Sequence, residues 1–463
     1  MMVFLALAGG VFALMQSLVA PALPVIAADL GASAGDVSWV MTVYLLAAAV
    51  GTPIAGRLGD IFGKRRMLLV VLGLFAAGTL VSALAGSLAA LLVGRIMQGA
   101  AGSVLPLSVG IVRDDLPPER VGVAVGVLSS IFGIGGGAGV VLAGPVVQYL
   151  SWEWLFWLPL AVAAVAFAGI AFGIRESSVR SRGRIDLAGA LLLSAGLVCL
   201  LLALAKGAVW GWTSPATLGT FTGALFAFIA LVVVERHVAE PLVDMRMLAR
   251  RGVWTTNLVG LGFGFAMFAN FLLVPQLLQL PAATGHGFGL SVSAAGLYLL
   301  PSTIGMIVFG PVSGILDRRY GSKTPLLIGT VLTAAAFVLP ALGHSEPWQL
   351  LASSALMGVG LGLAMAAMSN AIIAAVPREQ TGVATGVNTL ARTVGGSIGT
   401  AAVAAVLTAG TGSGTTPTDA AFTSGFAAGA GVIAFALLAV LLLPRPATPP
   451  GARNAKPQPV PSE

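Results

Sequence analysis

Long apolar runs, separated by short breaks of charge, proline or glycine, set the pattern of this chain. Read between the breaks, they fall near 3–28, 37–57, 67–86, 88–112, 121–145, 152–173, 187–205, 216–234, 253–279, 293–315, 325–342, 348–375, 382–407 and 422–444. A helix needs about 20 apolar residues to cross a ~30 Å hydrocarbon core. A membrane β-barrel would instead show short segments of alternating polarity, and these runs are continuous. The pattern predicts an all-α polytopic membrane protein with fourteen transmembrane helices.

Composition agrees. The chain is 57% hydrophobic and 9% charged, whereas a soluble domain carries roughly a quarter charged residues, so lipid must be its main solvent. The net charge of +7 raises the question of nucleic acid, and its distribution answers it. With a cytoplasmic N-terminus, 21 of the 24 Lys and Arg fall in or beside inside loops or the C-terminal tail, as the positive-inside rule requires. Lys206 is then assigned to an outer loop, and Arg95 and Arg392 lie within helices. The charge records insertion with both termini cytoplasmic, and no nucleic-acid partner is expected. Arg outnumbers Lys 20 to 4, which together with abundant Ala and Gly points to a high-GC bacterium, and the expected location is its inner membrane.

The first run lacks a basic n-region and a small-residue cleavage site, so it reads as a retained helix. A single cysteine, Cys199, excludes an intrachain disulfide and a cysteine metal cluster. No HExxH or GxxxxGK[ST] pattern is present, and His237, His286 and His344 are assigned to loops, so neither an enzyme nor an ATP-driven pump is indicated. No metal or cofactor is expected. The Pro-rich polar tail 445–463 is predicted to be disordered.

The chain repeats itself weakly. EQTGVATGVNTLARTVGGSIG at 379–399 aligns with ERVGVAVGVLSSIFGIGGGAG at 119–139, an offset of 260. GILDRRYGSK at 314–323 echoes GRLGDIFGK from residue 56 at an offset near 258, with Asp317 one place before the position matching Asp60. Small-residue packing alone explains glycine-rich membrane helices, but it does not require a shared register. Multi-helix repeats mark secondary transporters, with the substrate site between them near mid-membrane.

The 6+2+6 plan, with GRLGDIFGKRR at 56–66 and LVGRIMQGAAGS at 92–103, resembles the major facilitator superfamily in its fourteen-helix drug:proton antiporter branch. The loop pattern is carried by Gly56, Leu58, Asp60, Gly63, Lys64 and Arg65, and the helix-4 pattern by Arg95, Gln98 and Gly99. The resemblance implies two six-helix halves, 1–174 and 252–444, two extra helices with flanking loops at 175–251, and no need for a second copy to complete the path. It makes Gly56, Asp60, Gly63, Lys64 and Arg65 a latch between the halves. Asp60 is expected at the start of helix 3, where free N–H groups favour an anion, with the basic residues facing acids or lipid phosphates. A plain topological anchor would account for the basic residues but not for the Asp and Gly spacing.

Arg95 and Arg392 are expected to face a wet cavity, because charge at such depth is costly. Snorkelling to the interface is open to Arg95. Polar candidates for the cavity are Gln16, Tyr44, Gln98, Asn257, Asn270, Asn370 and Asn388, with Phe263, Phe265, Phe268 and Phe271 as apolar lining. All seventeen acids fall in loops, tails or helix ends. Met15 stands where the branch commonly has an Asp, and Ala138-Gly139 where its helix-5 motif has Gly-Pro. A proton carrier needs a group whose environment changes through the cycle. That leaves Asp36 or Asp29 at the outer end, or the substrate itself, and Asp36 is also placed to cap a helix. Two buried arginines with no facing acid disfavour a dication and favour a neutral or anionic amphipath. The expectation is a proton-coupled exporter of small hydrophobic or amphipathic compounds. The alternative is a dedicated transporter of a metabolite or lipid-linked product with atypical or no coupling.

Overall fold

The computed structural model describes residues 1–177, 179, 186–238, 240–411 and 416–444; the predicted tail lies outside them. Thirteen described helices are long and apolar enough to span a membrane: α1 (Met2–Asp29), α2 (Gly35–Phe62), α3 (Lys64–Ala83), α4 (Leu88–Asp115), α6 (Trp154–Gly173), α7 (Leu187–Trp210), α8 (Pro215–His237), α9 (Arg251–Gln279), α10 (Ala294–Tyr320), α11 (Lys323–Leu342), α12 (Pro347–Ala375), α13 (Arg378–Ala409) and α14 (Asp419–Leu442). Helix α5 (Pro118–Tyr149) takes the place of the run 121–145. Every predicted run is met by a helix.

Helix ends follow local chemistry. α2 stops at Gly63 and α10 at Gly321, with φ of 112° and 76°, backbone angles that glycine adopts without a Cβ penalty. Asp186, Ser214 and Ser87 cap α7, α8 and α4 through their side chains. α7 runs five residues further than its apolar stretch, to Trp210. Lys206 is therefore not in a loop but in a helix, buried with its Nζ 2.9 Å from Ser38 Oγ and 4.4 Å from the Trp39 ring. Its aliphatic stem lets it extend the helix while the charge finds a hydroxyl and a π face.

One apolar core gathers side chains of α1–α6, among them Leu5, Phe75 and Phe156. A second gathers α9–α14 around Phe263, Phe337, Phe422 and Phe426. A smaller one joins Leu193, Leu197 and Leu231 of α7 and α8 to Val253, Ile372 and Val383.

The two groups meet along two seams, α2 on α13 and α5 on α10, and glycines set the approach. A Cβ on Gly56 would lie 2.6 Å from the Gly382 carbonyl oxygen, and one on Gly382 equally close to that of Gly56. Further along, a Cβ on Gly386 would stand 3.3 Å from Pro53 Cα. In the other seam Gly122 faces Gly314, and Gly126 faces Gly310 and Pro311. The pairs 56/314 and 53/311 differ by 258, and 122/382 and 126/386 by 260. The repeat in the sequence is thus the pair of seams, each built for backbone contact.

Candidate functional site

Gly56 and Asp60 lie four residues apart on one face of the last turns of α2. Asp60 is fully buried and accepts hydrogen bonds from the backbone N–H of Gly382, at 3.1 Å, and of Val383, at 3.0 Å. Both belong to the first turn of the α-helical part of α13, where Gln380 makes no side-chain cap. Asp60 caps that helix from the other group, placing a carboxylate at the positive end of the dipole. Lys64 Nζ sits 3.8 Å from Asp60 Oδ1 and 2.6 Å from Asp114 Oδ2, and the three side chains are almost wholly shielded from solvent. Ser177 Oγ donates to the same Asp114 oxygen at 2.8 Å.

This corrects the expected placement. No residue breaks the helix before Gly63, so Asp60 ends α2 instead of starting α3. The anion at the start of α3 is Glu176, which accepts from the N–H of Arg65 at 3.2 Å and of Arg66 at 2.9 Å. A Cβ on Gly63 would meet that carboxylate at 2.6 Å. Nor does Arg65 turn to lipid phosphates: its guanidinium donates to the Ile170 and Ala171 carbonyls at the end of α6. Of the five motif residues only Gly56 and Asp60 reach α13.

A second connection involves a residue that the sequence shows only as one basic residue among many. Arg113, at the end of α4, donates to the carbonyls of Val376 and Pro377 at 2.9 and 3.1 Å, and to Thr381 Oγ1 at 2.5 Å. The adjacent RDD at 113–115 is the signal, since it places a cation and the Asp114 partner of Lys64 on one helix end. The echo of the motif in α10 behaves differently. Asp317, one place earlier in register, accepts from Ser322 Oγ at 2.5 Å, with Asn370 beside it at Gly122.

Away from this end, the groups enclose a cavity of about 80 Å³. Phe12 and Gln16 line it from α1, Leu45, Ala48 and Thr52 from α2, Phe263 and Phe268 from α9, and Thr389, Arg392 and Thr393 from α13. Arg392 carries the only charge among these residues. Its Nη2 donates to Thr389 Oγ1 at 3.2 Å, and among the described residues no carboxylate forms an ion pair with it. A second space of about 170 Å³ continues along α13 to Ala404, and α7 walls it through Leu204, Ala205 and Ala208.

Arg95, Gln98 and Tyr44 come together, but not in the cavity. Arg95 is fully buried, with Nε 3.1 Å from the Val40 carbonyl oxygen, Nη1 2.8 Å from Gln98 Oε1, and Cζ 4.0 Å over the Tyr44 ring. Gln98 Nε2 donates to Ser82 Oγ at 3.2 Å, and Tyr44 Oη to the Phe12 carbonyl at 3.4 Å. The cluster stands one layer behind the cavity wall, with Phe12 between. The expectation that Arg95 faces water fails here because a carbonyl, an amide and a π face satisfy its charge within the helices.

Asn388 bonds Asn257 Oδ1 and the Thr256 carbonyl, tying α13 to α9. Asn270 is buried with neither amide atom hydrogen-bonded. Asp36 is exposed in a helical turn at the opposite end from Asp60, where its Oδ2 accepts from Ser33 Oγ at 2.6 Å. It is a cap-region residue and does not line the cavity. Asp29 accepts from Trp152 Nε1 at 2.8 Å. Of the polar residues proposed for the cavity, Gln16 and Arg392 line it. Phe263 and Phe268 do so too, whereas Phe265 packs on Gly399.

The sequence profile of the major facilitator superfamily matches residues 5–239 and 257–462. The chain belongs to the major facilitator superfamily. It is similar to the tetracenomycin C resistance and export protein of Streptomyces glaucescens, with 36% identity over 409 residues, covering 86% of this chain and 74% of that one. It is also similar to the multidrug transporter protein MdtP of Bacillus subtilis, with 30% identity over 391 residues, covering 84% and 71%. Its fold matches the crystal structure of the human organic anion transporter MFSD10, with a TM-score of 0.67, 18% identity and coverage of 95% and 98%. The chain is a multi-pass membrane protein and an efflux transporter of this superfamily.

Proposed function

We propose that the chain exports small neutral or anionic amphipathic compounds by alternating access. The two six-helix halves, 1–174 and 252–444, rock about the cavity, and the segment 175–251 contributes α7 as a side wall. The observation that carries this reading is Arg392, a charge without an acid partner in an otherwise uncharged, largely apolar cavity with aromatic lining. Such a site favours an anion, because attraction strengthens as water is excluded, and penalises a dication. The relatives that export an antibiotic or several drugs support the direction and the size class of the cargo.

Drug-sized ligands occupy pockets of roughly 300–1,000 Å³, so the 80 Å³ cavity is a closed state that must widen. Gly56, Asp60 and Arg113 hold one end shut, and opening there admits cargo. The basic loops support assigning that end to the cytoplasm of a bacterium, with both termini inside. The cavity is lined by both halves of a single chain, and the working unit is taken as a monomer.

No carboxylate lines the cavity among the described residues. Coupling to a pH gradient then rests on protonation of the substrate, and an anion carried outward also draws on the membrane potential at about 2.3 kcal/mol per 100 mV. The test is uptake of neutral, anionic and dicationic dyes into inverted proteoliposomes under a separately imposed pH gradient or potential. The expected result is accumulation of anionic dyes and faster equilibration, without accumulation, of neutral ones, with discrimination against dications lost in Arg392→Gln and kept in Arg392→Lys. Preferred transport of dications by the wild type would overturn it.

A further inference from the structure

At the Asp60 end, within the α9–α14 group, lies a second opening of about 480 Å³. Arg250, Arg251, Ser322 and Lys323 line it, with Ala375 and Leu443 at the C-terminal ends of α12 and α14. The cations are held in place: Arg250 Nη1 donates to the Ala375 carbonyl at 2.9 Å and Arg251 Nε to that of Leu442 at 2.8 Å. Lys323 Nζ reaches the carbonyls of Leu441 and Leu443 at 2.6 and 2.9 Å. Those acceptors are neutral, and among the described residues none of the three cations is ion-paired. The acid nearby, Asp317, is engaged by Ser322 Oγ.

Two helix starts converge on the same space. α9 begins after Arg250 and α11 after Ser322, and neither N-cap residue bonds the first turn through its side chain. The two helix starts add positive dipole ends to three full charges. The sequence beyond Pro444 adds Arg445, Arg453 and Lys456 against one acid, Glu463, so it does not neutralise the pocket. The geometry asks for a dispersed anion with several acceptor oxygens, which is the chemistry of a phosphate.

We infer that this pocket binds the phosphate of an anionic phospholipid headgroup. A lipid fits because the pocket lies at the ends of four spanning helices, α9, α11, α12 and α14, and exposed apolar side chains continue from it. Trp254 and Tyr320 flank it, 41% and 52% exposed, as aromatic side chains do at membrane interfaces. Leu441 and Leu442 of α14 are about half exposed beside it, offering a track for acyl chains. Basic pockets between transmembrane helices recognise such headgroups. The site also touches the closed end of the transporter. Arg250 holds the carbonyl of Ala375, and Arg113 holds the next two, Val376 and Pro377. A phosphate that draws on Arg250 therefore acts on the chain segment to which the first half is tied.

The test uses the full-length protein, delipidated in neutral detergent and offered phosphatidylglycerol, phosphatidylcholine or inorganic phosphate, with retained molecules counted by native mass spectrometry. The expected result is a preference for phosphatidylglycerol over phosphatidylcholine of at least about tenfold, unmoved by millimolar inorganic phosphate. Lys323→Gln should lower it roughly fivefold, and the triple variant Arg250→Gln, Arg251→Gln, Lys323→Gln should abolish it. Because these side chains also hold helix ends, melting temperatures are compared and the single variant decides if the triple variant does not fold. Equal retention of the two lipids, displacement by inorganic phosphate, or an unchanged preference in a folded variant would each overturn the inference.

Discussion

Asp60 of α2 accepts the backbone N–H of Gly382 of α13 at 3.1 Å, across 322 residues of chain. With the bond from Val383, a carboxylate of one helix group closes the helix end of the other. Hydrogen bonds to a charged group contribute about 1.5–3 kcal/mol each. Asp60→Asn keeps the shape but loses the charge and can accept at one oxygen only. It should lower the closed population by roughly ten- to a hundredfold and cut transport, with folding retained. The checks are dye flux and the accessibility of a cysteine placed in the cavity.

Gly382→Ala tests the approach itself, since its Cβ would meet the Gly56 oxygen at 2.6 Å and Asp60 Oδ1 at 2.8 Å. The seam should open and transport fall as steeply as in Asp60→Asn. Gly431→Ala, where a Cβ would have nothing within 4 Å, should transport as wild type does.

Lys64→Met leaves Asp60 and Asp114 without their shared cation in a solvent-free site. Removing one partner of a buried pair costs about 3–5 kcal/mol, so thermal unfolding in detergent should shift clearly downward. Adding Asp114→Asn should recover part of the loss. A Lys64→Met protein as stable as wild type would deny the site its electrostatic role.

Cavity exposure separates the two arginines. In a Cys199→Ser background, Arg392→Cys should react with a water-soluble thiol reagent, while Arg95→Cys, verified as folded, should not. Arg95→Cys should also lower the melting temperature, because Gln98 and Tyr44 lose their partner.

The helices were legible because lipid enforces long apolar runs, and every run met a helix. The motif residues were legible as a cluster, but their partners were not. The Gly382 and Val383 amides carry no side-chain signature, and Arg113, which bonds two carbonyls in the α12–α13 connection and Thr381 of α13, stands out only by the two acids that follow it. Arg95 misled because depth in a helix says that a charge needs a partner, not whether that partner is water or Tyr44. For Asp36 the sequence offered both a cap and a coupling role, and the structure shows it in the cap region with Ser33. The shared offset of the repeat carried more than any single motif, since it marked both glycine seams.

The central claim is that the Asp60 contact locks one of two interconverting states. The most direct measurement is the spin-label distance between cysteines at Phe62 and Glu379, both exposed at the locked end, in a Cys199→Ser background in nanodiscs. The account predicts a short-distance majority in the wild type. A long-distance population should grow in Asp60→Asn. A single short distance, identical with and without the carboxylate, would contradict it.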